Sequence, residues 1–175
     1  MSATLRHLLV LCVLLPSTSA FAAWQESLPN ARLVGSGELR LFGFRIYSAQ
    51  LWSPTVPLQD DAAFALHLTY HRTLSREDLV SASLKEIRRL NGNSLSDVQL
   101  QRWQAEMRRA FVDVEPNAQI TGVYLRDQGA RFYAGPQLLH EIADPEFARA
   151  FFAIWLDPRT RNPELRSRLL GGMRT

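Results

Sequence analysis

Residues 147–156, FARAFFAIWL, place an apolar side chain at nearly every position of a helix that Asp144 and Pro145 can open and Asp157-Pro158 can close. A helix that is apolar almost all round cannot rest on a surface, so the chain has to supply a second layer that buries it. That layer is legible as strands. Residues 31–53 and 64–72 are rich in leucine, aromatic and β-branched residues and are separated by Pro54 to Pro57 and Asp60-Asp61. Residues 118–126, 130–134 and 137–143 form a second strand group, broken at Asp127 to Gly129 and at Gly135-Pro136. Connections this short imply antiparallel pairing.

Two further helices share one grammar. Ser75 opens the first with S-x-x-D to Asp78, Leu74 is placed to staple onto Leu79, and the stripe Leu79, Val80, Ser83, Leu84, Ile87, Leu90 ends at Asn91-Gly92-Asn93. Ser96 opens the second, Gln99 is expected to close its capping box, and Leu100, Trp103, Met107, Ala110 and Phe111 form the stripe. A last helix runs from Asn162-Pro163 to Gly171-Gly172. Strands, two helices, strands and two helices make an α+β domain with an antiparallel sheet and helices on one face.

The N-terminus reads as a secretory signal peptide: Arg6 and His7, the apolar run Leu8 to Leu15, and small residues ending in Ala20-Phe21-Ala22. The expected domains are a signal peptide over 1–22 and a single domain over 23–175, periplasmic or secreted after cleavage. No later apolar run reaches membrane-spanning length. The only cysteine, Cys12, lies in the discarded segment, so the mature chain has no disulfide, thiolate metal site or cysteine nucleophile. Of 20 basic residues, loss of Arg6 leaves 19 against 17 acidic, a charge of +2, too mild to imply nucleic acid. The arginine clusters at Lys85, Arg88, Arg89 and at Arg102, Arg108, Arg109 read as solvated helix faces.

Catalytic motifs are missing. There is no G-x-S-x-G elbow, P-loop or H-E-x-x-H, and Gly35-Ser36-Gly37 leads into a strand and reads as a turn. His67 and His71 stand about 13 Å apart on an extended chain, too far to share a metal, and are read as surface residues. His140 has no evident carboxylate partner. No cofactor or metal is implied.

What remains is a pattern of tyrosine beside arginine. By strand parity Tyr70 and Arg72 end an apolar face, and Arg45 and Tyr47 share another. An arginine at such a place either meets a carboxylate, such as Asp78 or Glu77 for Arg72, or faces a cavity whose ligand supplies the anion. The second reading suits an amphipathic carboxylate held by guanidinium and hydroxyl, with Arg40, Arg45, Tyr47, Tyr70 and Arg72 as candidate binding residues.

The stretches GSGELRLFGFRIYSAQLW, LHLTYHRTLS and DPEFARAFFAIWLDPRTRNPELRSRLLG resemble the bacterial secreted branch of the chalcone isomerase-like proteins over nearly all the mature chain. The resemblance implies an open-faced β-sandwich, a large antiparallel sheet covered by helices. It also places this chain against the plant enzymes' catalytic pattern. The position of their arginine falls on Leu39, with Arg40 one residue later; the position of their strand threonine falls on Tyr47; their late hydroxyl residue falls near Ile154; and the helix from Ser75 offers no tyrosine. The non-catalytic members that resemble fatty-acid-binding proteins hold a carboxylate with arginine and tyrosine, which implies a fatty acid or similar amphipathic ligand here and makes one of Arg40 and Arg45 the pocket cation. An isomerase of the intramolecular-lyase type acting on a flavonoid-like molecule, and a structural protein without ligand, stand as alternatives.

Overall fold

The computed structural model describes residues 23–172; the expected signal peptide lies outside them. Six strands form one antiparallel sheet in the order of the sequence: β1 (Arg32–Leu41), β2 (Phe44–Ser53), β3 (Phe64–Tyr70), β4 (Gln119–Leu125), β5 (Gly129–Ala134) and β6 (Gln137–Ile142). Helices α1 (Arg76–Asn91) and α2 (Asp97–Ala110) fall between β3 and β4, and α3 (Pro145–Leu156) and α4 (Pro163–Leu169) follow β6. The α+β architecture expected from the sequence is the one observed.

The helix starts follow from local chemistry. Ser75 accepts from the Asp78 amide while the Asp78 carboxylate receives the Ser75 amide, a closed capping box. Ser96 likewise accepts from the Gln99 amide. The Gln99 side chain, however, does not turn back to Ser96: its Nε2 donates to Glu146 Oε2 at 2.8 Å, tying α2 to the start of α3. Asp144 caps α3 through the amides of Glu146 and Phe147, with Pro145 in the first turn.

Helix α3 buries Phe147, Phe151 and Phe152 against the sheet and α1. Phe151 lies edge-on to Phe132 of β5 at 5.3 Å between centroids and Phe147 stacks on Phe151 at 5.6 Å, geometries favourable for aromatic pairs. On the helix-free face polar residues pair across strands: Ser48 with His71 at 2.8 Å and His67 with Thr121 at 2.9 Å. His67 is half-buried rather than a surface residue, and burial lowers its pKa below the ordinary histidine value. A smaller cluster, Trp24, Leu28, Ala65, Val123 and Tyr133, covers the far end of that face.

Two further expectations are corrected. His140 does have a carboxylate partner, Glu106 of α2 at 2.7 Å, a contact between residues distant in sequence that strand patterning could not reveal. Gly35-Ser36-Gly37 is no turn but part of β1, and its glycines are where α4 lies against the sheet. A Cβ on Gly35 would stand 2.1 Å from the Arg168 carbonyl oxygen and 2.6 Å from that of Leu169. These are main-chain atoms at the end of α4 and cannot swing aside. Gly35→Ala is therefore expected to cost about 1–3 kcal/mol as α4 is pushed off β1. Thermal unfolding checks this, and a melting temperature equal to wild type contradicts it.

Candidate functional site

A cavity of about 430 Å³ lies between the helix-covered face of the sheet and helices α1 and α3. Its size falls within the range of small-molecule sites. The walls are predominantly apolar, with Leu66, Leu68 and Ile120 from the sheet, Leu79 and Ala82 from α1, and Phe151, Phe152 and Ile154 from α3. Two tyrosines enter it side by side. Tyr47 and Tyr70 are cross-strand partners on β2 and β3, with ring centroids 5.9 Å apart in an edge-to-face arrangement.

The hydroxyls differ in their surroundings. Trp155 Nε1 donates to Tyr47 Oη at 2.9 Å, which leaves the Tyr47 proton free to be donated elsewhere. Tyr70 is buried, yet its Oη has no hydrogen-bond partner among the described residues. Every fully buried side-chain polar atom among them does have one, so Tyr70 Oη keeps some residual access, and Tyr70 is one of the residues lining the cavity. Burial pushes the Tyr47 phenol up to about 12, the Trp155 hydrogen bond offsetting only part of the effect. Tyr70 is also raised, by burial first and by the neighbouring Tyr47 second. Both are neutral donors at any physiological pH.

None of the three candidate arginines lines this cavity. Arg40 and Arg45 face each other across β1 and β2 and both pair with Glu38, on the helix-free side. Burial raises the Glu38 pKa, but the hydrogen bonds from Arg40 and Arg45 outweigh it and hold the carboxyl below its ordinary value. The cause of the displacement is a β-bulge. Arg40 opposes Arg45 and Leu39 opposes Tyr47, so Ile46 is an extra residue on β2 and reverses the parity between Arg45 and Tyr47. The other pair is separated by the end of β3 at Tyr70: Arg72 leaves the sheet and places its guanidinium 4.4 Å over the Phe44 ring. Neither Asp78 nor Glu77 receives it, for Asp78 closes the Ser75 box and Glu77 pairs with Arg108. The cation that does border the cavity is Arg161, in the loop before α4, and Glu86 of α1 neutralises it at 2.6 Å. Sequence reading missed it because its partner lies far away in the chain, on α1.

The three positions matched to the plant enzymes' pattern, Leu39, Tyr47 and Ile154, all line this one cavity, and α1 presents Asp78, Leu79, Ala82, Ser83 and Glu86 to it. Among the described residues no three His, Cys, Asp or Glu are grouped to hold a metal ion. Such a site offers an apolar ligand two neutral phenolic donors.

An open antiparallel sheet with helices over one face and a cavity between the layers defines a class of small α+β domains. This chain belongs to the chalcone isomerase-like family, whose model matches residues 30–171. Its fold is shared with the crystal structure of a fatty-acid binding protein of Arabidopsis thaliana, at a TM-score of 0.64 and 13% identity over 82% of this chain and 88% of that one. No curated protein sequence matches the chain.

The state of the phenols is measurable. Absorbance titration of wild type minus Tyr47→Phe is expected to stay flat through pH 11, because Tyr47 ionises only near pH 12. A difference step near pH 10 would contradict the burial of its hydroxyl.

Proposed function

We propose that the protein binds a fatty acid or similar amphipathic carboxylate without catalysing its conversion. The observation that carries this reading is the pair of neutral tyrosines lining a predominantly apolar cavity of about 430 Å³, whose bordering cation, Arg161, is already neutralised by Glu86. Apolar walls take the chain of the ligand, and the hydroxyls donate to its carboxylate. A fatty-acid binding protein with the same fold supports the choice of ligand. The non-catalytic reading is supported by leucine and isoleucine standing at two of the positions where the resemblance to the plant enzymes calls for arginine and a hydroxyl residue.

Arg40, Arg45 and Arg72 then have no direct hold on the head group, and Tyr47 and Tyr70 are the residues of the original set that do. Calorimetric titration with a long-chain fatty acid should show saturable binding by wild type. Tyr70→Phe should weaken it roughly tenfold to a hundredfold, the loss of a hydrogen bond to a charged group. Ala82→Trp, which fills the cavity from α1, should abolish it. Absence of binding by wild type would refute the proposal. Saturable turnover of a chalcone well above its spontaneous rate would move the assignment to an intramolecular lyase.

The site of action follows from the N-terminal pattern: the domain of residues 23–175 works outside the cytoplasm after cleavage behind Ala22. Among the described residues no helix is long and apolar enough to cross a membrane. Intact-mass measurement of the exported product should give a chain starting at Ala23, and a product retaining Met1 would overturn the assignment.

A further inference from the structure

β1 and β2 are joined by the two-residue turn Phe42-Gly43, with φ of 49° and 83°. A turn that needs positive φ at both positions favours asparagine or glycine, and a phenylalanine there is unfavourable. Its ring is, moreover, fully exposed, and the flanking Leu41 and Phe44 are 48% and 57% exposed. Neither local conformation nor core packing accounts for Phe42, which stands between two half-exposed apolar neighbours. Guanidinium groups surround it: Arg40 and Arg45, which share the single carboxylate of Glu38, and Arg72 over Phe44, which has no ion pair among the described residues. Glu115 is hydrogen-bonded to Thr73, the residue after Arg72.

We infer that the β1–β2 hairpin tip docks on the surface of an anionic lipid bilayer, with Phe42 inserted among the acyl chains and Arg40, Arg45 and Arg72 at the phosphates. Charge complementarity selects this occupant, because an apolar point with a basic collar matches apolar chains beneath an anionic head-group layer. The two strands pair with each other as far as Leu41 and Phe44, so their facing backbone groups stay satisfied as the tip enters the interface. The tip also adjoins the cavity, since Leu41 and Ile46 belong to its wall.

The test is co-sedimentation of the purified protein with vesicles of phosphatidylcholine alone or with a minority of phosphatidylglycerol. Wild type should pellet with the anionic vesicles and release as salt rises. Phe42→Ser should weaken pelleting at least tenfold without lowering the melting temperature, since the ring has no packing to lose. The double variant Arg40→Gln, Arg72→Gln should weaken it and flatten its salt dependence. Ala82→Trp should pellet as wild type does, which separates docking from occupancy of the cavity. No pelleting by wild type, or undiminished pelleting by Phe42→Ser, overturns the inference. So does self-association that Phe42→Ser abolishes, which would make a second copy the occupant of the tip.

Discussion

The arrangement of the molecule depends on the carboxylate of Asp144. Its Oδ1 accepts from the Glu146 and Phe147 amides, both at 3.0 Å, and its Oδ2 from Trp103 Nε1 and Arg102, both at 2.9 Å. One side chain thus starts α3 and docks it on α2. From that start Phe147, Phe151 and Trp155 follow at four-residue intervals along one stripe of α3, each ring packed on the next, and the last delivers its indole N–H to Tyr47. The cavity's donor is therefore positioned, through a helix of stacked rings, by an acid on the other side of the core. Burial opposes ionisation of Asp144, but the Phe147 amide, the Trp103 indole and Arg102 outweigh it and lower its pKa. Because the folded value is depressed, this stabilisation is complete above the ordinary aspartate pKa and drains away as pH falls through the lower folded value.

The charges sort by the same physics. A guanidinium is costly to bury, so Arg40 and Arg45, which share Glu38, and Arg72 lie at the surface, and Arg161 borders the cavity only with Glu86 attached. A neutral phenol tolerates low polarity far better than a guanidinium. Tyrosines, like the buried hydroxyls of Ser53, Thr121 and Thr160, are thus polar groups the interior accepts.

The helices were legible because their signals are local: serine and aspartate caps, apolar stripes and glycine stops all lie within a few residues. The strand layer was legible for a related reason, its breaks being marked by proline, glycine and aspartate. The site was only half legible. Tyr47 and Tyr70 face the cavity as parity requires, but parity fails at a bulge, and nothing in RIYS announces that Ile46 is an extra residue. The turn at Phe42-Gly43 was hidden inside an apparently continuous strand because phenylalanine is not a turn residue. Glu86 with Arg161 and Glu106 with His140 join distant elements and leave no pattern in the chain.

The sheet runs in sequence order, yet one of its joins is unlike the others. β1 to β3 and β4 to β6 are each successions of neighbouring strands, whereas β3 and β4 come together across residues 71–118, which carry both α1 and α2. Closing that seam sets a long loop entropy against the pairing of two strands, a cost that none of the other joins in the sheet carries to the same degree. The cavity spans it: Tyr47, Tyr70 and Leu68 belong to one half, Ile120 and Phe132 to the other. A molecule held there binds only when the seam is closed, and so acts as a reversible crosslink between the halves.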